Sequence, residues 1–269
     1  MLEDRNVVRR PIVGLSQKNY RNTATLEKEY LNVFLEELDL LADVDIDLFY
    51  FPSLGVLHQS AAMLKGTKLE YGAQNIAPIA NGAMTGEFSI ESLVDIGGSY
   101  VELGHAERRK YFGETDELIR QKIQLAFELG VTPVLCIGDP ERSTEEVRQG
   151  YFTQQLVTVI SGISQCDLKR LVIAYEPVWA IGQAEAADDN YVWDSHRIIR
   201  AILTRECGAE VADAVRIIYG GSVSKENTKS LVKDANVDGV FVGRFGHNPH
   251  HFAEIIRLVY QIKDMEENR

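Results

Sequence analysis

One glutamate stands at the junction between a short apolar run and a rigid aromatic segment. The run 171–175 leads into Glu176, which is followed by Pro177, Trp179 and Gly182. Proline restricts the backbone of the residue before it, and glycine frees the far end of the segment. This pattern predicts a carboxylate at the carboxyl end of a strand, beneath a loop that moves as one piece. A base that removes a proton from carbon under a closing lid has these features.

Length, composition and charge limit the classes to which the chain can belong. With 269 residues, 45% hydrophobic and 25% charged, we expect one globular domain over residues 1–269. The net charge of −12 argues against a nucleic-acid partner, and no apolar run suggests a membrane partner. The acidic start and the three unpatterned cysteines favour a cytoplasmic location. An anionic substrate would need local positive groups.

Apolar runs typical of strands alternate with amphipathic stretches typical of helices. We predict helices over 25–41, 114–129, 144–163 and 189–206. Eight strands separated by helices favour an α/β fold in which a parallel sheet closes into a single-domain (β/α)8 TIM barrel. The predicted strands are 11–16, 45–51, 69–74, 99–103, 132–137, 171–176, 215–219 and 238–242.

Barrel closure predicts where the chemistry lies, because reacting residues in such barrels come from the carboxyl ends of the strands. A lysine, a histidine and a glutamate would then converge on one mouth, opposite glycine turns whose backbone N–H groups suit a phosphate. The strand-end residues are Ser16, Lys18, His105, Glu176, Gly220, Gly221, Ser222, Gly243 and Arg244.

Four segments together resemble the signature motifs of the triosephosphate isomerase family. They read VELGHAERR at 101–109, AYEPVWAIG at 174–182, GAMTGE at 82–87 and YGGSV at 219–223. The similarity runs in order from Pro11 to Leu258. The resemblance implies an isomerase that interconverts small ketose and aldose phosphates, with no cofactor and no metal.

The resemblance also implies roles for individual residues. Glu176 matches the family's base and His105 its neutral electrophile. Lys18 matches the cation beside the developing oxyanion, and Glu107 matches a buried glutamate near that lysine. Residues 82–86 match a loop that joins two subunits, so the resemblance implies a homodimer. The matching phosphate contacts are Gly182, Ser222 and Gly243.

Departures from the family pattern cluster around the same site. Ser16 replaces an asparagine, which leaves space beside the reacting carbons, and residues 183–186 replace the usual lid hinge. Arg244 replaces a glycine, and two alternatives stay open for it. The guanidinium either binds the substrate's phosphate or turns outward to pair with a surface acid.

Three alternatives to a three-carbon isomerase also stay open. The four-carbon erythrulose phosphates are the first, because some relatives of this family act on them. The second is a lyase in which a looser lid lets the enediolate expel phosphate. The third is a barrel that binds without catalysis, against which the intact Glu176, His105 and Lys18 argue.

Overall fold

The computed structural model describes residues 9–181 and 186–267, and its strands form a closed parallel barrel. The strands pair in chain order, and the eighth pairs with the first. They are β1 (Ile12–Ser16), β2 (Asp47–Phe51), β3 (Leu69–Ala73), β4 (Tyr100–Leu103), β5 (Thr132–Ile137), β6 (Val172–Tyr175), β7 (Arg216–Tyr219) and β8 (Gly239–Val242). Each lies within its predicted range, and the predicted TIM barrel is confirmed.

Helices connect the strands and cover the outside of the barrel. They are α1 (Ala24–Asp39), α2 (Leu57–Leu64), α3 (Ile90–Asp95), α4 (Ala106–Phe112), α5 (Asp116–Glu128), α6 (Glu145–Ile160), α7 (Gln165–Leu168), α8 (Asp189–Cys207), α9 (Ala209–Ala214), α10 (Lys225–Leu231) and α11 (Pro249–Glu267). Helix α6 ends three residues before its predicted end, ahead of Gly162, whose φ is +76°. No helix among those described combines the length and hydropathy needed to cross a bilayer.

The alternation of side chains along the strands divides the core into two parts. Outward-facing aliphatic residues such as Val13 and Leu15 pack under the helices. Inward-facing residues fill the barrel with aromatic rings, including Phe49, Phe51 and Tyr100. Gly14 provides room for this filling, since a Cβ atom there would lie 1.9 Å from the ring of Phe49. The interior of the barrel is therefore filled with side chains below the site.

Charged side chains close the end of the barrel opposite the site. Asp47 on β2 pairs with Arg216 on β7, and also with Arg10 at 2.9 Å. Asp238, before β8, pairs with Arg9 at 2.6 Å and with Arg200 at 2.9 Å. These pairs tie separate strands together away from the mouth, which leaves the carboxyl ends of the strands free for chemistry.

Candidate active site

The carboxyl ends of the strands surround a cavity of about 330 Å³. Eight of the nine residues predicted for the site line it: Ser16, Lys18, His105, Glu107, Glu176, Ser222, Gly243 and Arg244. The ninth, Gly182, lies outside the described residues. Glu102, Phe241 and Phe245 also line the cavity, and none of these three was predicted.

Glu176 directly follows β6, where its backbone N–H donates to the carbonyl of Ile137 on β5 at 2.8 Å. Its side chain is 5% exposed, and Oε2 has no hydrogen-bond partner among the residues described. Burial, with a smaller contribution from the neighbouring carboxylate of Glu102, raises the pKa of this carboxyl to about 8. A carboxylate desolvated by burial is a stronger base than one in water.

His105 is the N-cap of α4, and its ring Nδ1 accepts a hydrogen bond from the backbone N–H of Glu107 at 3.1 Å. Because Nδ1 accepts, the neutral ring carries its proton on Nε2. That atom faces Oε2 of Glu176 at 3.6 Å. Burial, with a smaller effect from the cation of Lys18, lowers the pKa of His105 to about 4. The imidazole is therefore a neutral donor aimed into the cavity.

Lys18 holds its ammonium group at the same mouth, where Nζ donates to Oε1 of Glu107 at 2.7 Å. Burial works to lower the pKa of Lys18, but this hydrogen bond and the surrounding carboxylates outweigh it, so the pKa is raised. Lys18 has a φ of +47°, unlike any other non-glycine residue described. Glu107 is half-exposed rather than fully buried. The lysine therefore stays charged beside the base and the imidazole.

Ser16 and Glu102 meet on the floor of the cavity, where the serine hydroxyl donates to Oε2 of Glu102 at 2.9 Å. Both residues are 3% exposed. Burial raises the pKa of Glu102 to about 7. Sequence reasoning missed Glu102 because it was treated as part of a β4 motif. The available signal was that Glu102 is two residues from Tyr100 and so shares its inward face.

Glycines are concentrated where the turns after β7 and β8 line the cavity. Gly220 and Ser222 follow β7, and Gly243, with open space where a Cβ would be, follows β8. The guanidinium of Arg244 lies 5.7 Å from the ring of Phe245. It forms no ion pair with any acid in the described part of the chain. The expected alternative, an outward turn toward a surface acid, therefore has no partner among residues 9–181 and 186–267.

Asp139, in the loop after β5, anchors the start of the segment that follows Glu176. Its carboxylate accepts hydrogen bonds from Tyr175 at 2.8 Å, from Trp179 Nε1 at 2.8 Å and from Tyr191 at 2.6 Å. The backbone N–H of Val178 also donates to its carbonyl. Asp139 thus joins β6, the segment 177–181 (the described part of the expected lid, called the lid segment below) and α8 at one buried point.

These groups together are equipped for proton transfer at carbon. They supply a buried base, a neutral hydrogen-bond donor facing it, a fixed cation and backbone amides for an anion. Within the described residues, no cluster of three histidine, cysteine or acidic side chains is arranged to hold a metal ion.

Comparisons with known proteins agree with this chemistry. The family model described as triosephosphate isomerase matches residues 11–259. Probable triosephosphate isomerase 2 of Listeria monocytogenes is 45% identical over 258 residues, which cover 95% of this chain and all of the relative. Triosephosphate isomerase of Magnetococcus marinus is 42% identical, covering 79% of this chain and 84% of the relative. Triosephosphate isomerase of Geotalea uraniireducens is 37% identical, covering 93% of this chain and 99% of the relative.

Proposed function

The chain belongs to the triosephosphate isomerase family, and on that premise we propose that it interconverts dihydroxyacetone phosphate and glyceraldehyde 3-phosphate through an enediolate. One observation supports this most directly. Oε2 of Glu176 and Nε2 of His105 face each other at 3.6 Å across the cavity, without a hydrogen bond between them. Neither atom is engaged by the other, so both are available to a substrate that lies beside them in the cavity.

Glu176 is the base in the proposed reaction. Its carboxylate removes a proton from one carbon and returns it to the neighbouring carbon. The neutral Nε2–H of His105 donates to the oxygens of the enediolate, whose negative charge Lys18 stabilises. Glu107 holds the lysine by accepting from its ammonium group.

The phosphate is placed at the turns after β7 and β8. Ser222 and Gly243 line the cavity there, and Arg244 has no competing acid among the described side chains. We assign Arg244 to the phosphate, where a guanidinium can form two parallel hydrogen bonds. From the resemblance alone, Gly182 would add a contact from the lid.

The substitution Glu176→Gln tests the base. The amide keeps the shape of the carboxylate but cannot accept the proton, so kcat falls by about 10²–10⁴-fold. Binding of an inert phosphate analogue stays within about threefold. Glu210→Gln, at an exposed glutamate on α9, is the control and keeps wild-type kcat. A variant at Glu176 that retains more than about a tenth of wild-type kcat would remove this assignment.

Substrate length and the lyase alternative are tested together on the wild-type protein. A coupled assay compares kcat/KM for dihydroxyacetone phosphate with that for the erythrulose phosphates, while released inorganic phosphate is measured in parallel. The proposal expects the three-carbon ketose to be preferred and phosphate release to be a minor side reaction. A preference for the four-carbon ketoses would replace the assigned substrate, and dominant phosphate release would replace the isomerase.

We also propose a homodimer that forms through the loop Gly82–Gly86. The whole loop is exposed in the single chain, and Met84 at its tip is 40% exposed. An exposed apolar tip of this kind favours burial against a second copy. We therefore expect Met84→Asp to weaken the dimer, while the control Met265→Asp, at an exposed methionine on α11, does not. Sedimentation that finds a stable, active wild-type monomer at about micromolar concentration would exclude the dimer.

A further inference from the structure

Glu102 is a buried carboxyl that the proposed proton transfer does not use. It lies on β4 and shares the inward face of Tyr100, which packs inside the barrel. One of its oxygens, Oε2, accepts from Ser16. No other hydrogen bond to the carboxyl of Glu102 occurs in the part of the chain that the structure describes. A carboxyl can accept several hydrogen bonds, so this one has unused capacity at the cavity that it lines.

The position of Glu102 in the barrel determines which end of the substrate it can contact. Strand β4 is four places from β8 in either direction around the closed barrel, so the two strands lie opposite each other. The turn after β8 is on the side assigned to the phosphate. Glu102 therefore approaches the substrate from the side away from the phosphate. It also lies close enough to Glu176 and Lys18 for its negative charge to raise the pKa of both.

We propose that Glu102 is a specificity-determining residue that hydrogen-bonds a hydroxyl group at the end of the substrate's carbon chain farthest from the phosphate. This inference rests on the proposed isomerase function for its orientation. A hydroxyl satisfies the unused acceptor, whereas an alkyl group leaves the carboxyl desolvated without a partner. A site built to bond a hydroxyl strongly rejects an analogue that lacks it. Glu102 therefore selects polyol phosphates over alkyl phosphates.

The test measures binding of two inert probes by isothermal titration calorimetry. Glycerol 3-phosphate carries hydroxyl groups on its carbon chain, and n-propyl phosphate carries none. The wild-type protein should bind glycerol 3-phosphate more tightly by about tenfold or more. In Glu102→Leu most of this preference is lost, while the part that comes from His105 and Lys18 remains. In Glu102→Gln the neutral amide still bonds a hydroxyl, so the preference for glycerol 3-phosphate falls by only about threefold. Binding is measured above about pH 8, where the wild-type carboxyl is ionised because its pKa is about 7.

A matched control separates this role from the loss of any buried carboxyl. Glu27 is also fully buried and is hydrogen-bonded to a serine, Ser60, but it lies outside the cavity. Glu27→Gln should therefore keep the wild-type preference. An unchanged preference in Glu102→Leu overturns the proposal. If that variant does not fold, an unchanged preference in Glu102→Gln overturns it.

The design also keeps this inference separate from the proposed reaction. No turnover is needed to measure the preference between the two probes. A protein that fails to isomerise triose phosphates but shows the expected loss of preference in the Glu102 variants would remove the proposed reaction and keep the hydroxyl contact. A protein that isomerises triose phosphates with an unchanged preference would do the reverse.

Discussion

Gly220 and Glu176 are in such close contact that one fixes the position of the other. A Cβ atom on residue 220 would lie 2.7 Å from Cγ of Glu176 and 3.0 Å from its Oε1. The backbone N–H of Gly220 donates to the carbonyl of Tyr175, so the turn after β7 is tied to the strand that carries the glutamate. The side chain of Glu176 packs against the backbone of Gly220, so any larger residue at 220 would displace the carboxylate.

Gly220→Ala should therefore lower kcat without a comparable loss of stability. The added methyl group pushes the carboxylate away from its position opposite His105, and a displacement of about 1 Å can cost on the order of a hundredfold in rate. Gly150→Ala is the control, because residue 150 lies in α6 with no atom within 4 Å of the added Cβ. That change should leave kcat unaltered and stabilise the helix by about 0.5–1 kcal/mol. Steady-state kinetics and urea unfolding of both variants decide the matter, and an unaffected kcat in Gly220→Ala would contradict the prediction.

The pH dependence of kcat/KM should report the pKa of Glu176. The base must be ionised to accept a proton, and burial raises its pKa to about 8. The rate should therefore rise with pH by about tenfold per unit below that value and become constant above it. His105, with a pKa of about 4, stays neutral over this range and adds no second transition. Rates measured between about pH 6.5 and 10 test this, and a profile that is flat from pH 6.5 would refute the raised pKa.

Replacing Glu102 should move that profile in a defined direction. The carboxylate of Glu102 helps to raise the pKa of Glu176, because two negative charges in one dry site oppose each other. In Glu102→Gln the midpoint should therefore shift to lower pH. Glu27→Gln, which alters a buried carboxyl outside the cavity, should leave the midpoint unchanged. A shift to higher pH in Glu102→Gln would show that the two carboxyls do not interact in this way.

Arg244→Ala should raise KM more than it lowers kcat. A phosphate contact is present in both the ground state and the transition state, so its loss affects binding first. Loss of a hydrogen bond between charged groups costs about 1.5–3 kcal/mol, which is roughly a ten- to hundredfold fall in kcat/KM. Arg197→Ala, at an exposed arginine on α8, removes the same charge away from the cavity and serves as the control. Equal KM values in the two variants would mean that Arg244 does not touch the substrate.

Trp179→Phe should weaken both stability and catalysis, since it removes a donor to the buried carboxylate of Asp139. We expect the free energy of unfolding to fall by about 1–3 kcal/mol and kcat/KM to fall at least about threefold. Trp193→Phe is the matched comparison, because Trp193 on α8 donates only to the backbone carbonyl of Leu231. That variant should lose about 1 kcal/mol and keep its rate. Equal rate losses in both would argue against a special role for the Asp139 anchor.

The fold and the residues lining the cavity could be predicted because they depend on local pattern and on strand ends. Each predicted strand contains the observed one, and Lys18, His105 and Glu176 follow β1, β4 and β6 into one cavity. Both features follow from the alternation of strand and helix patterns and from the closure of the sheet into a barrel. Residues close together in the chain are enough to recognise these patterns. Glu102 shows the limit of this reasoning. Its alternation with Tyr100 indicates the inward face, but its depth and its bond to Ser16 depend on residues 86 positions apart.

Asp139 could not be recognised from sequence for a related reason. Its three side-chain partners are 36, 40 and 52 positions away in the chain. Only the closed barrel brings β6, the lid segment and α8 together around one carboxylate. An aspartate in a loop after a strand is ordinary by itself, so no local pattern distinguishes an anchor from a solvated side chain.

The left-handed backbone of Lys18 places stability and activity in opposition at one residue. A side chain at φ +47° costs on the order of 1–2 kcal/mol that glycine would not. Any scheme that ranks substitutions by thermal stability alone would therefore favour glycine at this position, and it would delete the ammonium group that balances the carboxylates around the cavity. Thermostabilised versions of this barrel should be sought elsewhere, among helix surfaces and the ion pairs of Asp47 and Asp238 at the opposite end.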